Sequence, residues 1–113
     1  MVNPSAKLIY TVTAECPDEA TAIAFLAWLV NGHLADVIRA GNAESAEAVR
    51  FDPLPNDPPG APIRCEARYV FPSRAAFEAY DAGPAKALRA EGAAKFAEAR
   101  GVQFSRRVGL LVE

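Results

Sequence analysis

Residues 7–41 read KLIYTVTAECPDEATAIAFLAWLVNGHLADVIRAG, and this stretch predicts a strand followed by two helices. Residues 7–15 alternate between two faces and are rich in β-branched and aromatic side chains, which is typical of a strand. Pro17 suits a first helical turn, and the acidic pair that follows it complements the positive end of a helix. The helix is expected to run to about residue 31, where Gly32 would end it in a left-handed conformation. A second short helix is expected to end before Gly41.

The middle of the chain predicts two more strands and another helix start. Residues 44–52 are typical of a strand, whereas residues 53–62 hold five prolines and are expected to form a loop. Residues 63–71, IRCEARYVF, alternate cleanly between an apolar and a largely charged face. Pro72 ends this strand, and Ser73 is positioned to cap the helix that follows.

The last third of the chain completes the pattern. Gly83–Pro84 interrupts the helix, which is expected to restart over residues 85–99. Gly92 lies inside that segment, where glycine costs about 1 kcal/mol relative to alanine, so it predicts a close contact with the backbone. Residues 102–112 predict a final strand. The order β-α-β-β-α-β predicts a single α+β domain over residues 1–113, a ferredoxin-like sandwich with split helices on one face of an antiparallel sheet.

The second face of the predicted sheet mixes apolar and charged side chains. It combines Ile9, Thr11, Val70 and Leu111 with Arg64, Glu66, Arg68 and Arg107. A solvated face would not favour the apolar members, and a fully buried face would not favour the charges. Stacking against the sheet of a second copy satisfies both, so we expect a homodimer.

Composition argues against several classes of protein. The net charge is −2 and there is no basic run, which argues against nucleic-acid binding. The longest apolar run, residues 22–30, is too short to cross a bilayer, and no signal peptide is recognised, so a cytoplasmic location is expected. Cys16 and Cys65 lack the spacing of a metal site and are expected to be buried small hydrophobic residues. No metal or other cofactor is expected.

The chain resembles a bacterial family known as a domain of unknown function, within the antibiotic-monooxygenase-like, dimeric α+β barrel superfamily. In the first half the matching pattern is an aromatic residue three before a tryptophan, then a histidine and a glycine: Phe25, Trp28, His33 and Gly41. Further matches lie in the second half, at Tyr69, Phe77, Tyr80, Leu88, Arg89, Phe96, Ser105 and Arg106. The resemblance implies the fold and the dimer. It does not select an activity, because the superfamily includes enzymes as well as regulatory modules.

A pocket between the helices and the sheet is the candidate site. Trp28, His33, Tyr10 and Tyr69 could reach it, although an unbroken helix would turn Trp28 and His33 about 140° apart. Only a break at Gly32 would let them converge. Structural roles are the alternative: Trp28 and the tyrosines in the core, and His33 capping a helix or binding a backbone carbonyl.

Arginines offer a second set of candidates. Arg68 and Arg106, with neighbouring Arg64 and Arg107, are expected to form either an anion clamp or ion pairs with residues such as Glu66.

Two functions remain open from the sequence. The first is a homodimeric module that binds a small hydrophobic or anionic molecule, or a partner protein, without chemistry. The second is a cofactor-independent monooxygenase or isomerase acting on a small hydrophobic or aromatic substrate. In that case Trp28 and Tyr69 would frame the substrate, His33 would be the catalytic base, and an arginine would hold the oxyanion.

Overall fold

The computed structural model describes residues 6–112, and it contains four strands and two broken helices. The predicted parts of the domain at residues 1–5 and 113 lie outside the described residues. In chain order the elements are β1 (Leu8–Cys16), α1 (Glu19–Trp28), a first π-helical turn (Leu29–His33), α2 (Leu34–Gly41), β2 (Ser45–Arg50), β3 (Ile63–Phe71), α3 (Arg74–Ala82), α4 (Ala85–Gly92), a second π-helical turn (Ala93–Glu98) and β4 (Gln103–Leu110).

Polar caps fix where the helices begin. The carboxylate of Asp18 accepts a hydrogen bond from the Thr21 backbone N–H at 2.8 Å, so α1 starts after Pro17 rather than with it. The Ser73 hydroxyl accepts one from the Ala76 N–H at 3.1 Å, as predicted. Each cap satisfies a backbone donor that has no partner within the helix.

The predicted end of the first helix is wrong in detail. Gly32 is not left-handed: its φ of 169° and ψ of −41° interrupt the helix within the first π-helical turn. The left-handed residue is Asn42, with φ 54° and ψ 36°, which ends α2. Asparagine tolerates this conformation because its short polar side chain bonds locally.

The four strands form one antiparallel sheet in the order β2-β3-β1-β4, which confirms the predicted ferredoxin-like class. The side chains on one face of the two central strands are buried beneath the helices: Leu8, Tyr10, Ala14, Cys16, Cys65, Ala67, Tyr69 and Phe71. Aromatic rings and aliphatic side chains of the helices complete this core. Every helix therefore contributes to one side of the sheet.

The opposite face, which we call the open face, carries the mixed set predicted from sequence. In the register, Ile9 lies opposite Val70 and Thr11 lies between Arg68 and Arg107. Glu66 is almost buried on this face, and its carboxylate accepts a hydrogen bond from Arg68 at 3.3 Å.

One helical region, Glu19–Gly41, is long and apolar enough to span a membrane by length and composition. This extends beyond the nine-residue run noted in the sequence. In the fold, however, Gly32 breaks the region, and Phe25, Leu29 and Val37 are buried against the sheet. Core helices of soluble proteins and signal sequences pass the same test of length and composition.

Candidate functional site between the helices and the sheet

The only tryptophan and the only histidine of the sequence stack on each other. Trp28 ends α1 and His33 ends the first π-helical turn, and their ring centroids lie 3.9 Å apart with planes 20° from parallel. The Leu34 N–H donates to the carbonyl of Leu29, five residues back, which is the hydrogen bond of a π-helix. This wider turn, together with the break at Gly32, brings together side chains that an α-helix would direct apart.

Trp28 is held from the side of α4. Its indole Nε1 donates a hydrogen bond to Glu91 Oε1 at 3.1 Å. A Cβ built on Gly92 would lie 3.1 Å from the indole Cη2, closer than nearly all real contacts. Gly92 therefore permits a close approach as predicted, although the group that approaches is the indole ring and not a backbone.

Beneath this pair lies a small cavity of about 30 Å³ between the helices and the sheet. A volume of this size holds about one or two water molecules. Its walls are mainly aromatic and include Tyr10, Phe25, Trp28, Tyr69, Tyr80 and Phe104. Three basic side chains also line it: His33, Arg89 and Arg106.

Two buried nitrogen atoms of these side chains lack a partner within the described part of the chain. They are His33 Nδ1 and Arg89 Nε. One nitrogen of the Arg89 guanidinium is engaged, since Nη2 contacts Asp81 Oδ1 at 2.7 Å and donates to the Tyr10 hydroxyl at 3.2 Å. An unsatisfied buried donor or acceptor costs about 1–3 kcal/mol. Both residues line the cavity, so a polar atom placed there is the available partner.

Burial sets the protonation of the cavity side chains. It lowers the pKa of His33 below its ordinary value, and the carboxylates of Glu91 and Asp36 only partly oppose this shift. At neutral pH the imidazole is therefore uncharged, and its two nitrogens are one donor and one acceptor. Burial also raises the pKa of Tyr69, and it raises that of Tyr80 to about 12. Both phenols keep their protons and remain hydrogen-bond donors.

A wider groove of about 220 Å³ adjoins the cavity at the β4 edge of the sheet. It shares Tyr10, Arg89 and Arg106 with the cavity. Its remaining walls are formed by Phe77, Asp81, Arg107 and Val108. A molecule in the groove would reach the cavity past the Arg89 side chain.

Five of the six residues predicted for the site line the cavity: Tyr10, Trp28, His33, Tyr69 and Arg106. Arg68 does not. It lies on the open face, where its guanidinium contacts Glu66 at 3.3 Å and Glu47 at 3.6 Å. The reason is alternation, because Arg68 and Tyr69 are consecutive in β3 and must point to opposite faces.

Of the two alternatives for the four arginines, the anion clamp does not assemble, for the same reason, whereas ion pairs are observed for Arg64 and Arg68. Arg64 lies on the open face and pairs with Glu15 at 2.9 Å, and Arg107 shares that face by its register with Thr11. Arg106 alone among the four lies on the helix side of the sheet, opposite Val12.

Arg89 is a site residue that the candidate set did not include. It lies four residues after Ala85 and three before Gly92, which are the buried residues of α4. Helical spacing therefore places Arg89 on the same face of α4 as these two residues. This spacing is the feature of the sequence from which Arg89 could have been identified as a site residue. Within residues 6–112, no cluster of three or more His, Cys, Asp or Glu side chains is suited to a metal ion.

Solved structures share this fold at low sequence identity. A dimeric ferredoxin-like protein from an uncultured marine organism has a TM-score of 0.68 at 17% identity, over 96% of this chain and 97% of its own. An ethyl tert-butyl ether degradation (EthD) family protein from Bacillus halodurans has a TM-score of 0.64 at 15% identity, over 94% and 99%. A protein of unknown function from Nitrosomonas europaea reaches 0.55 at 16% identity, over 98% and 94%.

The first of these is described as a dimeric ferredoxin-like protein, which agrees with the ferredoxin-like class predicted from the sequence. No curated protein sequence matches the chain. A sequence profile described as "Domain of unknown function (DUF4286)" matches residues 7–108, which is most of the chain. The elements that build the cavity lie almost wholly within this match, and the chain belongs to the DUF4286 family.

Proposed function

We propose that this protein is a homodimer that binds a small, mainly apolar molecule between its helices and its sheet. The observation that carries the proposal is the aromatic cavity with two unpartnered buried nitrogens, His33 Nδ1 and Arg89 Nε. Ligand sites typically combine apolar and aromatic walls with a few convergent polar groups. A bound molecule with one or two polar atoms would satisfy both nitrogens.

The ligand occupies the groove and extends into the cavity. The cavity alone is too small for more than water, whereas the groove offers about 220 Å³. An apolar cavity of about 150 Å³ is known to accept benzene, so a molecule with a single ring is the expected size. The groove and the cavity share Tyr10, Arg89 and Arg106, so the ligand extends from one space to the other along these side chains.

Native mass spectrometry of the protein purified without ligand removal tests this proposal. We expect a dimer mass with an added small molecule. Val108 lines the groove, so Val108→Trp narrows it and should remove the added mass. Leu54 is 65% exposed in the proline-rich loop, and Leu54→Trp is the matched control that should retain it. A ligand-free wild-type dimer that also binds no added aromatic compound would contradict the proposal.

Dimerisation is proposed through the open face. Ile9 and Val70 lie side by side there, and they are flanked by charges that already have partners, such as the Arg68–Glu66 pair. A second sheet would cover the two aliphatic side chains without leaving those charges unpaired. One of the solved relatives is itself dimeric.

Sedimentation velocity tests the interface. Val70→Asp places a new carboxylate on the open face and should shift the protein to the monomer. Val30→Asp is the matched control, because Val30 is 64% exposed on the helical side. A wild-type monomer, or dissociation by both variants alike, would count against the open-face dimer.

A second candidate function is a cofactor-independent enzyme, an isomerase or a monooxygenase that uses dioxygen. The observation that favours it is His33, which lines the cavity, has a buried Nδ1 without a described partner, and has its pKa lowered by burial. A neutral imidazole can take a proton from a bound substrate, which an imidazolium cannot. An isomerase would then return the proton to another carbon atom.

His33→Gln separates the two functions. Glutamine keeps hydrogen-bonding capacity but is not a base at neutral pH. If the protein only binds, the variant should retain the ligand. If it is an enzyme, the variant should bind the substrate and lose turnover, while a wild type without turnover of the ligand identified by mass spectrometry would exclude the second candidate.

A cytoplasmic location forms part of the proposal. Cys16 and Cys65 are both free and buried, which fits a reducing compartment, where disulfides rarely persist. Localisation of the tagged protein tests this assignment, and recovery in a membrane or secreted fraction would contradict it.

A further inference from the structure

We infer that the ligand carries a carboxylate, and that Arg106 at the junction of the groove and the cavity is the residue that binds it. This inference rests on the proposed function and names the chemical class of its ligand. It follows from the charge of the groove, from the state of Arg106 and from the position of that side chain.

The groove is positively charged in a protein whose net charge is −2. Its lining includes three arginines and a single carboxylate, Asp81. That carboxylate is already engaged, because Arg89 contacts it at 2.7 Å. Arg107 contributes only from the rim, since its side chain belongs to the open face. On the helix side, Arg106 is the groove arginine whose charge no described carboxylate neutralises.

Arg106 differs from the arginines that have carboxylate partners. Five of the described arginines form ion pairs of 3.6 Å or less: Arg39, Arg50, Arg64, Arg68 and Arg89. Arg106 forms none with a described carboxylate, and its guanidinium lies 5.9 Å from the centre of the Phe104 ring. The ring orients the group, while the N–H donors stay available. A planar guanidinium matches a carboxylate with two parallel hydrogen bonds.

The position of Arg106 assigns the two ends of the ligand. Its side chain lines both spaces, beside Tyr10 and Arg89. A carboxylate at Arg106 lies on the same wall as Arg89, whose Nε has no described partner, and leaves the apolar body of the ligand against Tyr10 and Phe77. The proposed ligand is thus a small aromatic or alicyclic acid rather than a neutral hydrocarbon.

Calorimetric titration of the full-length dimer with benzoate and phenylacetate, each compared with its neutral amide, tests the inference. We expect the acids to bind more tightly than the amides, and less tightly as salt increases. Arg106→Gln should weaken acid binding about tenfold or more, because hydrogen bonds to charged groups contribute strongly. The affinity for the amides should fall much less, because a neutral carbonyl loses only an uncharged hydrogen bond.

Arg74→Gln is the matched control. Arg74 is an exposed arginine at the start of α3, outside both the groove and the cavity. Its substitution removes the same charge and should leave acid binding intact. Circular dichroism confirms that both variants fold.

Equal affinity for acids and amides, or equal acid binding by wild type and Arg106→Gln, would overturn the carboxylate assignment and leave the proposed binding function intact. Equal weakening by Arg106→Gln and Arg74→Gln would also overturn it, because only net charge would then matter. Failure of both acids and both amides to bind would contradict this inference and the proposed function together.

Discussion

Gly41 packs directly against the ring of Phe71. A Cβ built on this glycine would lie 2.8 Å from Phe71 Cε1 and 2.9 Å from Tyr80 Cδ1. Real Cβ atoms essentially never come so close, so a side chain here must displace a ring. Since Phe71 and Tyr80 are both buried in the core, neither ring can move freely. The end of α2 thus approaches the sheet at a distance that only glycine permits.

Gly41→Ala should therefore lower the free energy of unfolding by about 1–3 kcal/mol, as expected for overpacking of a core. The free energy is measured by urea denaturation. Gly83→Ala is the control, because a Cβ at Gly83 would meet only the Ala79 carbonyl at 3.7 Å, an ordinary contact. Its effect should be within about 0.5 kcal/mol. Equal stability of Gly41→Ala and wild type would show that the rings adapt.

His33 should make the protein less stable in mild acid. Burial lowers its pKa in the folded state, with Glu91 and Asp36 opposing the shift and Arg89 and Arg106 lining the same cavity. Because the unfolded chain binds the proton more readily, the stabilising contribution is complete above the unfolded-state pKa of about 6.5. It is lost as the pH falls from there toward the folded-state pKa.

Urea denaturation at about pH 7.5 and about pH 5.5 measures this effect, and no other histidine contributes to it. His33→Gln should show a smaller change in free energy between the two conditions than wild type. An NMR titration of the single imidazole gives the folded-state pKa directly. A value above that of a free histidine would refute the prediction.

The two cysteines should be unreactive in the folded protein. Cys16 and Cys65 are fully buried, and burial raises both of their pKa values, that of Cys16 to about 12. The thiolate is the nucleophile, so neither side chain should react with a thiol reagent at neutral pH. Both should react after denaturation, as counted by absorbance. Rapid labelling of the native protein would mean that this part of the core opens.

Ser73→Ala should cost about 1 kcal/mol of stability, because the hydroxyl caps α3 through the backbone N–H of Ala76. Thermal or urea denaturation measures the loss. Ser73→Asp restores an acceptor at the cap and should regain most of the stability. If Ser73→Asp were as unstable as Ser73→Ala, the capping hydrogen bond would not explain the effect.

The element order and class were readable in the chain because their signals are local. The alternation of residues 63–71 matches β3, and the cap at Ser73 lies where it was expected. The contact at Gly92 was also anticipated, since a glycine inside a helix needs a reason. Because side chains alternate along a strand, the sequence alone places Arg68 and Tyr69 on opposite faces of β3.

Tertiary structure decided the rest, because it depends on contacts between residues far apart in sequence. The antiparallel register places Arg106 beside Val12 and Arg107 beside Thr11, and no local pattern fixes that pairing. The stacking of Trp28 on His33 depends on the π-helical turn between them and on the contacts of Trp28 with Glu91 and Gly92 of α4, which are distant in sequence. The cavity is the space that these contacts between distant residues leave unfilled between the helices and the sheet.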